Sequence, residues 1–204
     1  YLGLFVGIGE YANSNLGKVA YAVEDAQGVR NAFVELGCYE DRLQIITNQY
    51  ATHATLKTAI KTLCRSVQST DTIVLYYAGH GVMENGVNYI TCQDSNLSDI
   101  TSTCLPLNSI LAELQKSAST RIVVFLDCCH SAISFASNTR SPLTPISYEQ
   151  LKYDAGQVEF LTIFSACKSD EKSYADIENK HGIWSHFLIR ALTGDAGAIY
   201  DGTL

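Results

Sequence analysis

Residue order alone predicts an α/β domain built on a mainly parallel sheet with helices on both faces. Three observations carry that expectation. Strand-like runs and segments of helical period alternate along the 204 residues. The strand-like runs are short, apolar and β-branched, as in Ile122 to Leu126, which suits strands buried on both faces. The length fits one domain of ordinary size, able to bury a substantial core without disulfides or metals.

Each element follows from a local signal. Tyr1 to Ile8 reads as the first strand, followed by a Gly-, Asn- and Ser-rich loop from Gly9 to Gly17. Val29, Ala32, Phe33 and Leu36 fall at i, i+3, i+4 and i+7, one face of a helix ending at Gly37. Leu43 to Thr47 is a second strand. Thr52 is placed to cap a helix whose apolar face is Leu56, Ala59, Ile60, Leu63 and Val67. Thr72 to Ala78 is a third strand, predicted to break at Gly79-His80-Gly81, with a hairpin around Asn85-Gly86 and a return strand from Val87 to Thr91. Leu107, Ile110, Leu111 and Leu114 mark another helix, and Arg121 to Leu126 a fourth long strand. Ala132 to Gln157 holds two of the three prolines and no sustained period, so it reads as a long exposed loop. Phe160 to Phe164 is a fifth strand, and Trp184, Phe187, Leu188 and Ala191 mark a last helix. There are no internal repeats.

Composition narrows the class. With 47% hydrophobic and 17% charged residues the chain is globular. A net charge of -7 argues against nucleic acid as the main partner, since binding phosphates needs clustered Lys and Arg. Seven cysteines, an odd number without paired spacing, argue against a disulfide framework and for a reducing, cytoplasmic compartment. No apolar run approaches the roughly 20 residues that span a bilayer, and the opening segment lacks the flanks of a signal peptide, so no membrane association is expected. The chain opens directly on a strand and stops at Asp201-Gly-Thr-Leu204, which reads as a domain cut from a longer protein.

Two strand ends carry reactive side chains: His80 after the third, and Cys128-Cys129-His130 after the fourth. If those strands are neighbours in a parallel sheet, their ends lie roughly 5 Å apart and an imidazole can meet a thiol. A thiol with an ordinary pKa near 8.5 is mostly protonated at neutral pH, and an adjacent imidazole supplies the base and later the acid. Successive residues point to opposite sides, so only one of Cys128 and Cys129 can face His80. The plainer reading of a thiol in an apolar strand is a small core residue, and it is kept for Cys38, Cys64, Cys92, Cys104, Cys128 and Cys167. A zinc site is disfavoured because adjacent ligands do not easily take two corners of one tetrahedron and no Cys-x-x-Cys pair exists. His53, His181 and His186 read as surface or helix-face residues, and His130 as a residue packing beside the thiols.

Tyr76-Tyr-Ala-Gly-His-Gly81 and Asp127-Cys-Cys-His-Ser131 resemble the two catalytic motifs of the caspase-like cysteine peptidases of family C14, closest to metacaspases and prokaryotic orthocaspases. The 49 residues from His80 to Cys129 fit the known caspase pattern of a His about 50 residues upstream of the Cys. Glu24-Asp-Ala26, Ile90-Thr-Cys-Gln-Asp94 and Ser165-Ala-Cys-Lys-Ser169 also fall where that family has similar stretches. The resemblance implies Cys129 as nucleophile, His80 as general base and acid, and the backbone N–H groups of Gly81 and Cys129 as oxyanion hole. It implies a three-layer α/β/α fold whose first five long strands are parallel in the order 2-1-3-4-5. A sixth, antiparallel strand would be missing or lie beyond the chain end. The whole chain then forms one peptidase domain: a large-subunit-like part over 1–131, a loop over 132–157 and a small-subunit-like part over 158–204.

The resemblance also implies a specificity. The metacaspase pocket for the residue before the cut is acidic, and its two carboxylates map onto Asp25 and Asp127, with Asp170 as a second-tier candidate for the same cleft. Two carboxylates in a narrow pocket favour Arg or Lys. The expected partners are therefore proteins or peptides with a basic residue at the cut, alongside fused sensor or scaffold domains. Ala78 and Ala132 depart from the usual Ser and Gly of the family. Arg140 and Lys152, in the segment where relatives are cut in two, are candidates for self-processing. No cofactor is expected; some metacaspases need calcium, but Asp94, Asp99 and Asp170 match no calcium-loop spacing, and no metal site is assigned. The rival reading is a caspase-like adaptor that binds without cutting.

Overall fold

A computed structural model describes residues 1–129, 146–166, 175–176 and 180–195. The apolar runs form β1 (Leu2–Gly7), β2 (Leu43–Thr47), β3 (Ile73–Glu84), β6 (Ile122–Cys129) and β7 (Leu161–Ser165). They pair in parallel in the order β2-β1-β3-β6-β7, the order the resemblance implied for the five long strands. Between them lie α1 (Ala22–Glu35), α2 (His53–Ser66) and α4 (Leu107–Gln115), with α5 (Tyr148–Gly156) before β7 and α6 (Ile183–Leu192) near the end of the described chain. Short elements fill the connections: β4 (Val87–Ile90), α3 (Ile100–Thr103), β5 (Leu105–Pro106), β8 (Ala175–Asp176) and β9 (His181–Gly182). Among the described residues no helix is long and apolar enough to cross a membrane.

The two faces of the sheet bury different side chains, which is why each strand reads as unbroken apolar sequence. Leu4, Leu75, Tyr77, Val124 and Leu126 pack against Leu56, Ile60 and Leu63 of α2 and Ile110, Leu111 and Leu114 of α4. Phe5, Tyr76 and Phe125, in register across β1, β3 and β6, face Val29 and Phe33 of α1. Phe125 lies 5.2 Å from Phe164 and 6.3 Å from Trp184, centroid to centroid, extending that row to β7 and α6. Close approach sets one residue in this layer: a Cβ on Gly7 would run into the Ala22 carbonyl oxygen and lie 2.9 Å from Ala26 Cβ. Both neighbours sit on the α1 backbone and cannot swing away. Gly7→Ala is expected to cost about 3 kcal/mol of stability by overpacking, read from urea denaturation.

Local chemistry explains the helix starts. The Thr52 side chain accepts the Thr55 N–H at 3.3 Å, as its position predicts for α2. Asn85 and Gly86 take φ of 51° and 76°, the paired left-handed geometry of a two-residue hairpin joining β3 and β4.

The structure corrects several element bounds. β3 does not break at Gly79-His80-Gly81 but runs on to Glu84, and β6 likewise runs through Cys129. The two glycines serve packing and not a turn, since a Cβ on Gly79 would crowd the Tyr77 and Tyr11 hydroxyls and one on Gly81 the Ile146 side chain. The segment read as a loop over 132–157 contains α5. Its start is fixed by Ser147, which caps Gln150 at 3.2 Å, and by Asn88, which exchanges two 2.8 Å hydrogen bonds with the Ser147 backbone. The Ser-x-x-Gln spacing is the signal that could have found it. The first helix ends at Glu35 and not at Gly37, which leaves Leu36 55% exposed, and α6 turns Phe187 outward, 49% exposed.

Candidate active site

β3 and β6 carry His80 and Cys129 to the same level: they are register partners on neighbouring parallel strands, one step beyond the Gly79–Cys128 pair. The backbone of His80 is fixed from several sides. Its N–H donates to the Tyr11 hydroxyl at 2.8 Å, and its carbonyl accepts from Tyr77 Oη and from the Thr91 N–H. The ring is 2% exposed and stacks on Tyr11 with centroids 5.0 Å apart. Nε2 lies 3.2 and 3.0 Å from the carbonyl oxygens of Leu16 and Gly17, on the loop after β1. Both are acceptors, so Nε2 carries a proton, and Nδ1 is the basic nitrogen of the neutral ring. Burial pulls the His80 pKa below the ordinary imidazole value, against the two carbonyls that favour the charged ring. Burial also pushes Tyr11 up to about 12, keeping that hydroxyl neutral beside it.

Cys128 is buried in the core on the α2 and α4 face, as the plain reading held. Gly81 continues β3 beyond His80, pairs with Ile90 of β4, and lies against Cys128, whose Cβ would be 3.1 Å from a Cβ at position 81.

On the other face the fold brings Asp25, in the first turn of α1, and Asp127, on β6, to one spot beneath Gly182. A Cβ there would lie 3.1 Å from one carboxylate and 3.4 Å from the other. Both acids are buried. Asp25 accepts the Gly182 N–H at 3.1 Å, and its Oδ1 lies 2.8 Å from His181 Nδ1. Asp127 Oδ2 accepts from Ser185 Oγ at 2.6 Å, and Ser185 lies 2.7 Å from the Tyr76 hydroxyl. His181 is therefore part of the acid pocket, a correction to the expectation of a surface or helix-face residue, and it is joined there by Ser185 and the Tyr76 hydroxyl, to which the sequence assigned no role. The period-2 alternation of β3 could have placed Tyr76 on the face of Ala78, and a lone Ser in the apolar run Ile183-Trp-Ser185 was a signal for a buried partner. These hydroxyls stand near the spot where Ala78, the register partner of Asp127, offers none.

Burial first, and then the Asp127 carboxylate, push the Asp25 pKa from 3.8 up to about 8. The folded chain thus holds a proton that the unfolded chain releases near 3.8. Stability from this group is fully present below about pH 4 and is lost as pH rises toward 8. Asp25→Asn keeps the neutral shape without the ionisation. Relative to the variant, the parent chain is expected to lose stability between pH 5 and pH 8, read by urea denaturation at both values; a constant difference would contradict the buried acid pair.

Asp170 and Arg140 lie outside the described residues, and so does the side chain of Cys129. Lys152 is exposed on α5. Asp94 accepts the His53 N–H at the start of α2 at 2.8 Å, and no group of three His, Cys, Asp or Glu side chains among the described residues is arranged to hold a metal.

Residues 2–201 match the caspase domain of peptidase family C14. A paracaspase of Dictyostelium discoideum is 29% identical over 134 residues, covering 64% of this chain and 29% of that protein. The chain thus spans under a third of the length of that relative. A Geobacter sulfurreducens protein of known crystal structure superposes with a TM-score of 0.67 at 19% identity, over 96% of this chain and 82% of its own. The Drosophila initiator caspase Dronc superposes with a TM-score of 0.58 at 13% identity, over 94% of this chain and 64% of its own. Both likenesses concern the fold.

Proposed function

Because the chain belongs to the caspase domain family of peptidases, whose substrates are proteins, we propose that it is a cysteine endopeptidase that cuts after Arg or Lys with Cys129 and His80. The observation that carries this reading is the register pairing of His80 with Cys129, with the imidazole held through Nε2 by two carbonyls. Cys128 is committed to the core, which leaves attack to the next thiol. The proton on Cys129 Sγ passes to His80 Nδ1, and the thiolate attacks the substrate carbonyl carbon. The Gly81 and Cys129 N–H groups stabilise the oxyanion. His80 returns the proton to the leaving amine as the peptide C–N bond breaks, giving a thioester. Water, deprotonated by His80, then releases the acid. No cofactor takes part, and a free thiol suits a reducing compartment such as the cytoplasm.

Asp25 and Asp127 support the choice of a basic side chain, with Asp170 as a further candidate in that cleft. An arriving guanidinium compensates the buried Asp127 carboxylate and displaces the proton that Asp25 holds beside it. Self-processing at Arg140 belongs to the same reading; Lys152 would first need α5 to open.

The test is hydrolysis of paired fluorogenic peptides that differ only in Arg or Asp before the cut, with labelling by an Arg-peptide thiol-reactive inhibitor. Cleavage of the Arg peptide alone, with labelling lost in Cys129→Ala, is the expected result. Preference for Asp would overturn the pocket assignment, and absent labelling would favour the adaptor reading.

A further inference from the structure

Between α2 and α4, with α3 and β5 at one end, lies an open cleft of about 520 Å³. It lies among the helices of the α2 and α4 layer, whereas Asp25 and Asp127 meet beneath Gly182 on the side of α1 and α6. Its floor is apolar, from Ile60, Leu105 and Ile110, all buried. Its α2 wall carries two cations, Lys57 and Lys61, one turn apart with a step of about 6 Å along the helix, and His53 one turn before them. Neither lysine belongs to any of the ion pairs among the described residues. On the α4 side, Ser109 offers a hydroxyl, and Glu113 marks one end, 3.6 Å from Lys116. A chain of net charge -7 here sets two lysines over an apolar trough, with Glu113 as the carboxylate of the lining.

We propose that this cleft docks an acidic linear segment of a partner protein, bound extended, with acidic side chains at alternate positions and an apolar side chain between them. Alternate residues of an extended strand stand roughly 6.7 Å apart on one side, close to the step between Lys57 and Lys61. The acids then face α2, while the intervening side chain points the other way, toward Ile110 and the floor. A compact anion could be held between the two lysines, one turn apart on α2, but would leave the apolar trough unused. The docked segment would rest on Leu105, which pairs with Ile90, itself the partner of Gly81. A bound protein would thus be held two strands from the catalytic candidates. The proposal does not depend on the chain being an active peptidase.

The test is fluorescence anisotropy of a fluorescein-labelled Glu-Leu-Glu-Leu-Glu peptide with the whole chain, at low and high salt. Binding that weakens with salt is expected, as is a loss of about tenfold both for the Lys57→Glu/Lys61→Glu variant and for a Gln-Leu-Gln-Leu-Gln peptide. Both lysines are exposed, so the variant should fold, and circular dichroism checks that it does. No binding, equal binding by the variant, or equal binding of the Gln peptide would overturn the proposal. So would displacement of the peptide by ATP at concentrations below those of the unlabelled peptide, which would assign the cleft to a small anion.

Discussion

His80→Ala is expected to lower kcat/KM on an Arg peptide by about 10³-fold, with the loss on kcat and not on KM. The imidazole is the only described basic group at the register position opposite Cys129, and without it the thiol must ionise unaided. The substitution also empties a buried site beside the Leu16 and Gly17 carbonyls, so circular dichroism must first show that the variant folds. In the parent chain, depression of the His80 pKa by burial has its own signature. The acid limb of kcat/KM is expected below the ordinary imidazole value of 6.5, since the ring stays neutral to lower pH than a free histidine. Undiminished hydrolysis by the alanine variant would remove His80 from the reaction and send the search for a base elsewhere.

Asp127→Asn is expected to cost about 3 kcal/mol with Arg peptides, roughly 10²-fold in kcat/KM, because truncating one partner of a buried charged contact leaves the other poorly compensated. The loss should be much smaller for a peptide with a neutral residue before the cut. The pH dependence gives a second reading of the same pocket. Asp25 holds its proton to about pH 8 partly because Asp127 is near, so binding a cation must expel that proton. KM for Arg peptides is therefore expected to fall as pH rises toward 8 in the parent chain. Asp127→Asn removes the neighbouring charge, lowers the Asp25 pKa, and moves that fall to lower pH. A KM independent of pH between 5 and 8 in both proteins would mean that the substrate cation does not reach Asp25.

Burial on both faces makes β1, β3 and β6 continuous apolar runs, and helical period marks α2 and α4 with their inward sides. The reactive clusters at two neighbouring strands, and the family pattern they fit, needed only residue order. Where periodicity is interrupted the reading failed. Gly79 and Gly81 read as a break, although their missing side chains are what lets β3 continue past Tyr11 and Ile146. α5 buries little apolar surface beyond Leu151, so its period was faint and only its cap marked it.

Sequence by itself determined the parallel α/β plan, because it follows from patterns that repeat every two or four residues, and it offered a histidine strand and a cysteine strand whose adjacency the family resemblance implied and the sheet order then placed. Only the tertiary structure decided what surrounds the acids. Ser185 reaches Asp127 across 58 positions, and His181 reaches Asp25 across 156. Contacts between α6, β9, β6 and α1 arise from helix packing on the sheet, which no local period encodes. They decide which acid keeps its proton, because desolvation and a neighbouring carboxylate act through space and not along the chain.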